Sequence, residues 1–267
     1  MEHPIVIIGA GVAGLVAARH LEEAGYTPLI LEASDRPGGR VKTDEKEGYL
    51  LDHGFQVLLT DYQEARRYLN FEALELRTFD PGAVIYFNGR THRISDPLRD
   101  PSQLLTMALS PVGTLRDKWL MYRLTRSLQQ TPRQQVFTGK RQSTQQFLTE
   151  YGFSQRIIEQ FFRPFFGGIF LENELHTGAD MFRFVFKMFA EGQAALPARG
   201  IAQIALQLVA QLKKTNIRFG TRVREVNGGM LLLENGESLP FSKLLIAAKP
   251  YPLIPSLHNQ SMDWEST

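Results

Sequence analysis

The sequence predicts an α/β fold, a parallel sheet with helices and a β-meander that is interrupted by a mainly helical segment. Three observations support this prediction. The chain opens with a short apolar strand, a glycine-rich turn and a helix. Long helical stretches dominate 101–190, and short strands separated by Asn-Gly turns return after 215. This order indicates an α/β domain that is split by a second domain.

The composition fits a folded globular chain of one to two domains. Of the 267 residues, 43% are hydrophobic, and the net charge is only +2, so overall charge gives no support for nucleic-acid binding. Cysteine is absent, which excludes disulfides and thiolate metal sites and fits a cytoplasmic, reducing compartment. No apolar run is long enough to predict a membrane-spanning helix.

The first elements form one βαβ unit within about thirty residues. The continuous apolar run at 5–8 predicts a parallel strand covered on both faces. Residues 15–24 have a helical composition, and Gly25 is well placed to end that helix. Residues 27–31 are predicted to form the second strand.

Three glycines between the first strand and the helix, Gly9, Gly11 and Gly14, have the spacing of a dinucleotide site. The first permits a tight turn, the second lets a pyrophosphate approach the backbone, and the third lets helix and strand pack closely. Glu32 follows the second strand, where a carboxylate can accept hydrogen bonds from ribose hydroxyls. NAD, NADP and FAD all satisfy this pattern, although Glu32 would repel the 2′-phosphate of NADP.

The next eight residues, which complete the string LEASDRPGGR at 31–40, separate FAD from NAD. Two adjacent glycines permit close approach of a phosphate, and Arg40 can neutralise it through paired hydrogen bonds. The string resembles the second signature of the flavin-containing amine oxidase superfamily, which also includes protoporphyrinogen oxidases and phytoene desaturases. In that family the two glycines and the arginine approach the FAD pyrophosphate. The resemblance therefore implies a Rossmann-like FAD-binding domain with FAD as its cofactor.

The resemblance continues beyond this signature to about residue 255. Segment 48–56 is similar to the family segment that passes the flavin, and 196–201 is similar to the stretch that leads back into the FAD domain. Val223 matches a position whose backbone meets adenine. The resemblance implies cofactor contacts at Gly9, Ala10, Gly11, Ala13, Gly14, Glu32, Ala33, Gly39, Arg40, Gly54, Phe55 and Val223.

The predicted domain organisation has three parts. Residues 1–80 form the first part of the FAD-binding domain, 81–195 a mainly helical substrate or cap domain with a β-hairpin at Asn88-Gly89, and 196–267 the second part. Family members continue with a glycine-rich segment that holds the flavin side of FAD, and this segment has no counterpart after Pro250. Two explanations are open, a truncated chain and a partner chain that completes the flavin site.

The predicted helical domain is rich in phenylalanine and in basic residues. Eleven of the eighteen phenylalanines fall between 147 and 189, which indicates a domain core or a hydrophobic tunnel for a flat substrate. Residues 91–145 carry a net charge of +6 with apolar residues between the charges. A solvated helical surface explains this pattern, and so does peripheral contact with an anionic membrane.

The resemblance implies an FAD-dependent oxidoreductase whose flavin accepts a hydride from a hydrophobic or amine substrate. Two alternatives are open, a non-redox isomerase of the carotenoid isomerase type that uses reduced flavin, and a truncated, non-catalytic nucleotide-binding chain. The sequence assigns no catalytic residue. The six histidines lie too far apart to predict a metal site, and His53 is either an ordinary imidazole or a residue that orients the flavin ring.

Overall fold

The computed structural model describes residues 3–54, 57–87, 89–95, 110–250 and 253. The chain forms two compact units. The first unit comprises Met1–Val57, Gln63–Arg77 and Leu196–Glu265, and the second comprises Leu58–Tyr62, Thr78–Ala195 and Ser266–Thr267. The three-part domain organisation given above stays a prediction.

The strands are β1 (Ile5–Ile8), β2 (Leu29–Leu31), β3 (Thr43–Lys46), β4 (Tyr49–Asp52), β5 (Leu58–Leu59), β6 (Arg77–Thr78), β7 (Gly82–Phe87), β8 (Arg90–Ser95), β9 (Ala194–Leu196), β10 (Asn216–Arg218), β11 (Val223–Asn227), β12 (Met230–Leu233), β13 (Ser238–Pro240) and β14 (Lys243–Ile246). The helices are α1 (Val12–Glu23), α2 (Gln63–Tyr68), α3 (Leu115–Gln130), α4 (Arg133–Val136), α5 (Thr144–Tyr151), α6 (Gln155–Ile157), α7 (Arg163–Phe170), α8 (Ala179–Glu191) and α9 (Gln203–Gln211). A π-helical segment, Ile158–Phe162, joins α6 to α7.

The first unit is built on a parallel sheet with the strand order β10-β2-β1-β14. The central strand β1 is fully apolar, and Val6, Ile7 and Ile8 are buried. The antiparallel meander β11-β12-β13 contributes Leu231 and Leu233 to the same hydrophobic cluster as Val6 and Ile8. The predicted α/β fold with a parallel sheet and a meander is confirmed.

Some elements begin at residues other than those predicted. Helix α1 begins at Val12 and not at residue 15, since Gly11 already has the extended backbone of a helix N-cap. Helix α9 ends at Gln211, and the N–H groups of Lys213 and Lys214 beyond it donate to the carboxylate of Glu22. Strand β2 is shorter than the predicted 27–31.

The second unit is mainly helical with an aromatic core. Phe162, Phe166 and Phe182 are fully buried, and the ring centroids of Phe166 and Phe182 lie 4.7 Å apart at a steep angle. Edge-to-face pairs of this kind stabilise a core beyond the apolar area they bury. The interpretation of the phenylalanine-rich stretch as a core is therefore confirmed for these side chains.

The predicted β-hairpin is present in the second unit. Strands β7 and β8 pair antiparallel in a register that runs from Gly82 opposite Ser95 to Phe87 opposite Arg90. Asn88 of the predicted turn lies outside the described residues. Within the described ranges, no helix combines the length and the apolar character needed to cross a bilayer.

Candidate functional site

The turn after β1 is held by contacts that only glycine permits. Gly9 has a φ of +104°, and its N–H donates to the carbonyl of Leu31 at 2.8 Å. A Cβ at Gly14 would lie 2.0 Å from the carbonyl oxygen of Gly9. The first and third glycines of the motif are thus required by the backbone that joins β1 to α1.

The second glycine of the motif meets the second glycine-rich segment. The N–H of Gly38 donates to the carbonyl of Ala10 at 2.9 Å, and Gly11 and Gly38 form an isolated parallel bridge. A Cβ at Gly39 would lie 3.2 Å from the Cα of Gly11, so the two loops lie backbone against backbone. We call the loops 9–14 and 38–39 together the glycine cleft. Where the two loops meet, Gly11, Gly38 and Gly39 carry no side chain, as close approach of a phosphate to the backbone requires.

Glu32 lies at the carboxyl end of β2, only 9% exposed, and its carboxylate is held by its own chain. Oε2 accepts the N–H of Ala10 at 2.7 Å, and Oε1 accepts both the N–H and the hydroxyl of Ser34, at 2.9 and 2.6 Å. Burial acts against ionisation of Glu32, but these hydrogen bonds outweigh it and lower the pKa of Glu32 below its usual value of 4.5. An ionised, oriented carboxylate therefore adjoins the glycine cleft.

The remaining predicted site residues differ in their exposure. Ala13, Ala33, Arg40 and Gly54 are exposed, and Phe55 lies outside the described residues. Val223 is buried in the cluster that contains Val6 and Ile8, so any contact with adenine is left to its backbone.

The structure brings distant parts of the sequence together at the carboxyl ends of β1 and β2. Glu32 reaches Ala10 across 22 positions, and the N–H of Thr221 donates to the carbonyl of Glu32 at 2.8 Å. The start of β11, which carries Val223, thus adjoins Glu32. A direct contact between Gly54 and the glycine cleft is not part of the described geometry.

Three residues that hold the site in place were not predicted from the sequence. Ser34 fixes one oxygen of Glu32, and Lys42 donates to the Ser34 hydroxyl at 2.9 Å. The position of Ser34, two residues after Glu32, was a usable signal, because serine hydroxyls often bond to groups two residues away. Lys42 had no such signal. Asp52 accepts the N–H of Ile201 at 3.0 Å, which anchors the returning segment 196–201 to β4.

The residues present fit FAD. A side chain at Gly11 or Gly39 would extend towards the opposite loop of the glycine cleft, and the first turn of α1 contains no acidic side chain and no side-chain cap. Its N–H groups are therefore available to an anion, with the positive end of the helix dipole behind them. The Oε2 atom of Glu32 accepts one hydrogen bond from the protein, so it can accept another from a ribose hydroxyl.

A comparison with family models decides which family the chain belongs to. Residues 12–262 match the model of a family described as flavin containing amine oxidoreductase. The chain belongs to this family. The predicted relationship to the flavin-containing amine oxidases and the predicted cofactor FAD are thereby confirmed for this member of the family.

Curated relatives of this chain include L-amino-acid oxidases of snakes. It is 37% identical over 105 residues to the L-amino-acid oxidase BmooLAAO-I of Bothrops moojeni, and the same identity and span hold for an L-amino-acid oxidase of Naja atra. These alignments cover 38% of this chain and 21% of each relative. The matched part is thus about a fifth of the length of those oxidases.

Solved structures show the same fold at low sequence identity. A putrescine oxidase variant superposes with a TM-score of 0.64 and 21% identity, over 93% of this chain and 58% of that one. A protoporphyrinogen oxidase-like protein from Exiguobacterium also gives a TM-score of 0.64, at 19% identity over 97% of this chain and 61% of the other. The chain therefore spans about three fifths of the length of these structures.

Proposed function

We propose that this member of the family is an FAD-dependent oxidoreductase whose substrate is an amine or another hydrophobic small molecule. The observation that carries the proposal is the glycine cleft with an ionised Glu32 beside it at the carboxyl ends of β1 and β2. FAD supplies the hydride acceptor when it is bound. The role of the chain is to bind and orient that cofactor.

Each predicted contact has a distinct role in this proposal. The backbone of the glycine cleft and the start of α1 bind the pyrophosphate, and Arg40 offsets its charge. Glu32 accepts hydrogen bonds from the adenosine ribose, and the backbone at Val223 meets the adenine. Gly54 and Phe55 approach the flavin. The roles of Gly54 and Phe55 are supported by the resemblance of 48–56 to the family segment.

Gly11→Ala tests the cofactor site without a folding defect. Gly11 has a φ of −74°, and a Cβ there would meet only the Cα of Gly39, at 3.8 Å, so the chain tolerates the methyl group. The methyl group would nevertheless occupy the glycine cleft. We expect titration with FAD, followed by flavin fluorescence, to show an affinity at least about tenfold weaker, a cost of about 1.4 kcal/mol.

Gly168→Ala is the matched control, because a Cβ at Gly168 meets nothing within 4 Å. It should bind FAD like the parent. FAD-loaded parent should then lose its oxidised-flavin absorbance when a substrate amine or amino acid is added without oxygen. A parent that binds no FAD would refute the proposal, and turnover without any electron acceptor would instead indicate an isomerase.

We also propose where the protein acts and what it contacts. A cytoplasmic location is supported by the absence of cysteine. Peripheral membrane contact through 91–145 is supported by exposed Trp119 and Tyr122 on α3, beside exposed Arg123 and Arg126. A partner chain that completes the flavin side of the site stays a prediction. Binding to anionic vesicles and the mass of the FAD complex in solution measure these two features.

A further inference from the structure

Asp44 on β3 contacts residues from two separate segments of the first unit. Its Oδ1 atom pairs with the guanidinium of Arg36, and its Oδ2 atom lies 2.8 Å from Nε2 of His53. Arg36 lies three residues before Gly39, and His53 immediately precedes Gly54. One carboxylate therefore connects the two segments that carry these predicted FAD contacts.

The strand that carries Asp44 is itself fixed by its neighbours. Strands β3 and β4 pair antiparallel, with Thr43 opposite Asp52. The hydroxyl of Thr43 donates to Asp52 at 2.6 Å and accepts the N–H of Ala202 at 3.0 Å. The preceding residue, Lys42, donates a hydrogen bond to the hydroxyl of Ser34, and this hydroxyl donates to Glu32. Asp44 thus extends from a braced strand, and its two contacts can hold less regular segments in place.

Both oxygens of Asp44 are engaged, and the group is ionised at neutral pH. The hydrogen bond from Arg36 and then that from His53 hold the pKa of Asp44 below its usual value of 3.8. The same contact raises the pKa of Arg36. All three side chains are partly exposed, so the contacts are individually weak and matter through what they position.

We propose that Asp44 is a positioning residue for FAD, holding the segment 36–40 and the segment at His53 and Gly54 in the arrangement that the cofactor binds. Segment 36–40 carries Gly38 and Gly39, which form one wall of the glycine cleft, and it carries Arg40. The inference rests on the proposed function, because it concerns the geometry of the FAD site. Asp44 itself acts through Arg36 and His53.

Asp44→Asn tests this role at nearly constant shape. The amide removes the negative charge from both contacts, so the shared anchor of the two segments is weakened. We expect FAD to bind about fivefold to tenfold more weakly, because both contacts lose their charge. The thermal midpoint of the FAD-free protein should stay near that of the parent.

Glu23→Gln is a close control for this variant. Glu23 also pairs with one arginine and one histidine, Arg19 and His20, and its side chain is 53% exposed against 49% for Asp44. It lies at the end of α1 away from the glycine cleft. Glu23→Gln should therefore bind FAD as tightly as the parent.

Rescue and coupling distinguish positioning from general stability. Asp44→Glu keeps the charge and should recover part of the lost affinity. Arg36→Gln and His53→Gln each change one of the two contacts of Asp44. Each should weaken FAD binding by less than Asp44→Asn. Combined with Asp44→Asn, neither should add its full effect, since the contact it breaks is already weakened. These two variants also carry the test if Asp44→Asn does not fold.

The outcomes separate this inference from the proposed function. If the parent and Glu23→Gln bind FAD and Asp44→Asn binds it equally well, Asp44 has no positioning role and the proposed function stands. Additive losses in the combined variants would also overturn the inference. If the parent itself does not bind FAD, both the inference and the proposed function are wrong.

Discussion

The carboxylate of Glu32 shows how a single residue is prepared for a ligand. Ser34 occupies Oε1 with two hydrogen bonds, whereas Oε2 accepts one from Ala10. A ribose hydroxyl therefore has its best acceptor at Oε2, next to the glycine cleft. The glycine spacing and the distance to Glu32 were enough to predict the residue, but its partners Ser34 and Lys42 depend on how segment 34–42 folds back.

Removing the charge of Glu32 or that of Arg40 should weaken FAD binding. Glu32→Gln replaces one carboxylate oxygen by an NH₂ group that faces the N–H of Ala10 or Ser34, and Arg40→Ala removes a phosphate partner. We expect each substitution to cost about 1–3 kcal/mol of FAD affinity. Isothermal titration with FAD measures the loss.

Two matched variants control for charge alone. Glu23→Gln removes an exposed carboxylate from the far end of α1, and Arg67→Ala removes an exposed arginine from α2. Both should bind FAD like the parent. Titration curves for Glu32→Gln and Arg40→Ala that match these controls would contradict the assigned roles.

Hydrogen bonds to Asp117 fix the start of helix α3 in the second unit and connect it to Ser154. Asp117 is 1% exposed and accepts the N–H and hydroxyl of Thr114, which completes a capping box at the start of α3. It also accepts the N–H of Ser154 at 2.8 Å and its hydroxyl at 2.6 Å. These bonds outweigh the effect of burial and lower the pKa of Asp117. The spacing of Thr114 and Asp117 is a sequence signal for a cap, but the bond to Ser154, 37 positions away, is tertiary.

Asp117→Asn should destabilise the second unit. The amide cannot accept all four hydrogen bonds, so a buried donor from Thr114 or Ser154 loses its acceptor. We expect the free energy of unfolding to fall by about 2–3 kcal/mol, measured by urea denaturation followed by circular dichroism.

An exposed pair in the same unit provides the reference. Glu150 pairs with Lys140 in solvent, so Glu150→Gln should change the free energy of unfolding by less than about 0.5 kcal/mol. Equal effects of the two substitutions would show that Asp117 contributes no more than a surface charge.

At the scale of the whole molecule, buried and bridging carboxylates make stability depend on pH. Glu22 is the clearest case, because its carboxylate accepts the N–H groups of Lys213, Lys214 and Thr215 as well as the Thr215 hydroxyl. Burial acts against ionisation, but the bonds from Thr215 and the backbone outweigh it and lower the pKa of Glu22 from 4.5 to about 2. Glu32, Asp117 and Glu172 are shifted in the same direction.

The protein should therefore lose stability in acid. Because the folded-state pKa of Glu22 lies below the unfolded value, the unfolded chain binds the proton first as the pH falls. The stabilisation is complete above about pH 4.5 and is lost as the pH falls towards about 2. Urea unfolding at a series of pH values from 7 downwards should show this decline.

Glu22→Gln isolates the largest contribution. At neutral pH it should lower the free energy of unfolding by about 1–2 kcal/mol, because the neutral amide bonds less strongly to the four donors. The difference from the parent should vanish as the pH approaches 2. Glu23→Gln, one residue along, should keep the full pH dependence of the parent. A Glu22→Gln variant as acid-sensitive as the parent would contradict the assignment.

The sequence by itself determined the opening βαβ unit, the glycine spacing, Glu32 and the relationship to a flavin family. The βαβ unit, the glycine spacing and Glu32 are local, since each depends on residues within one turn or one strand-helix unit. Only the tertiary structure decided the contacts between separate segments. The contacts from Asp44 to Arg36 and His53, from Asp52 to Ile201 and from Asp117 to Ser154 need backbone segments whose approach no local spacing specifies. Side-chain hydrogen bonds are short in reach, so they exist only after the fold has placed their partners.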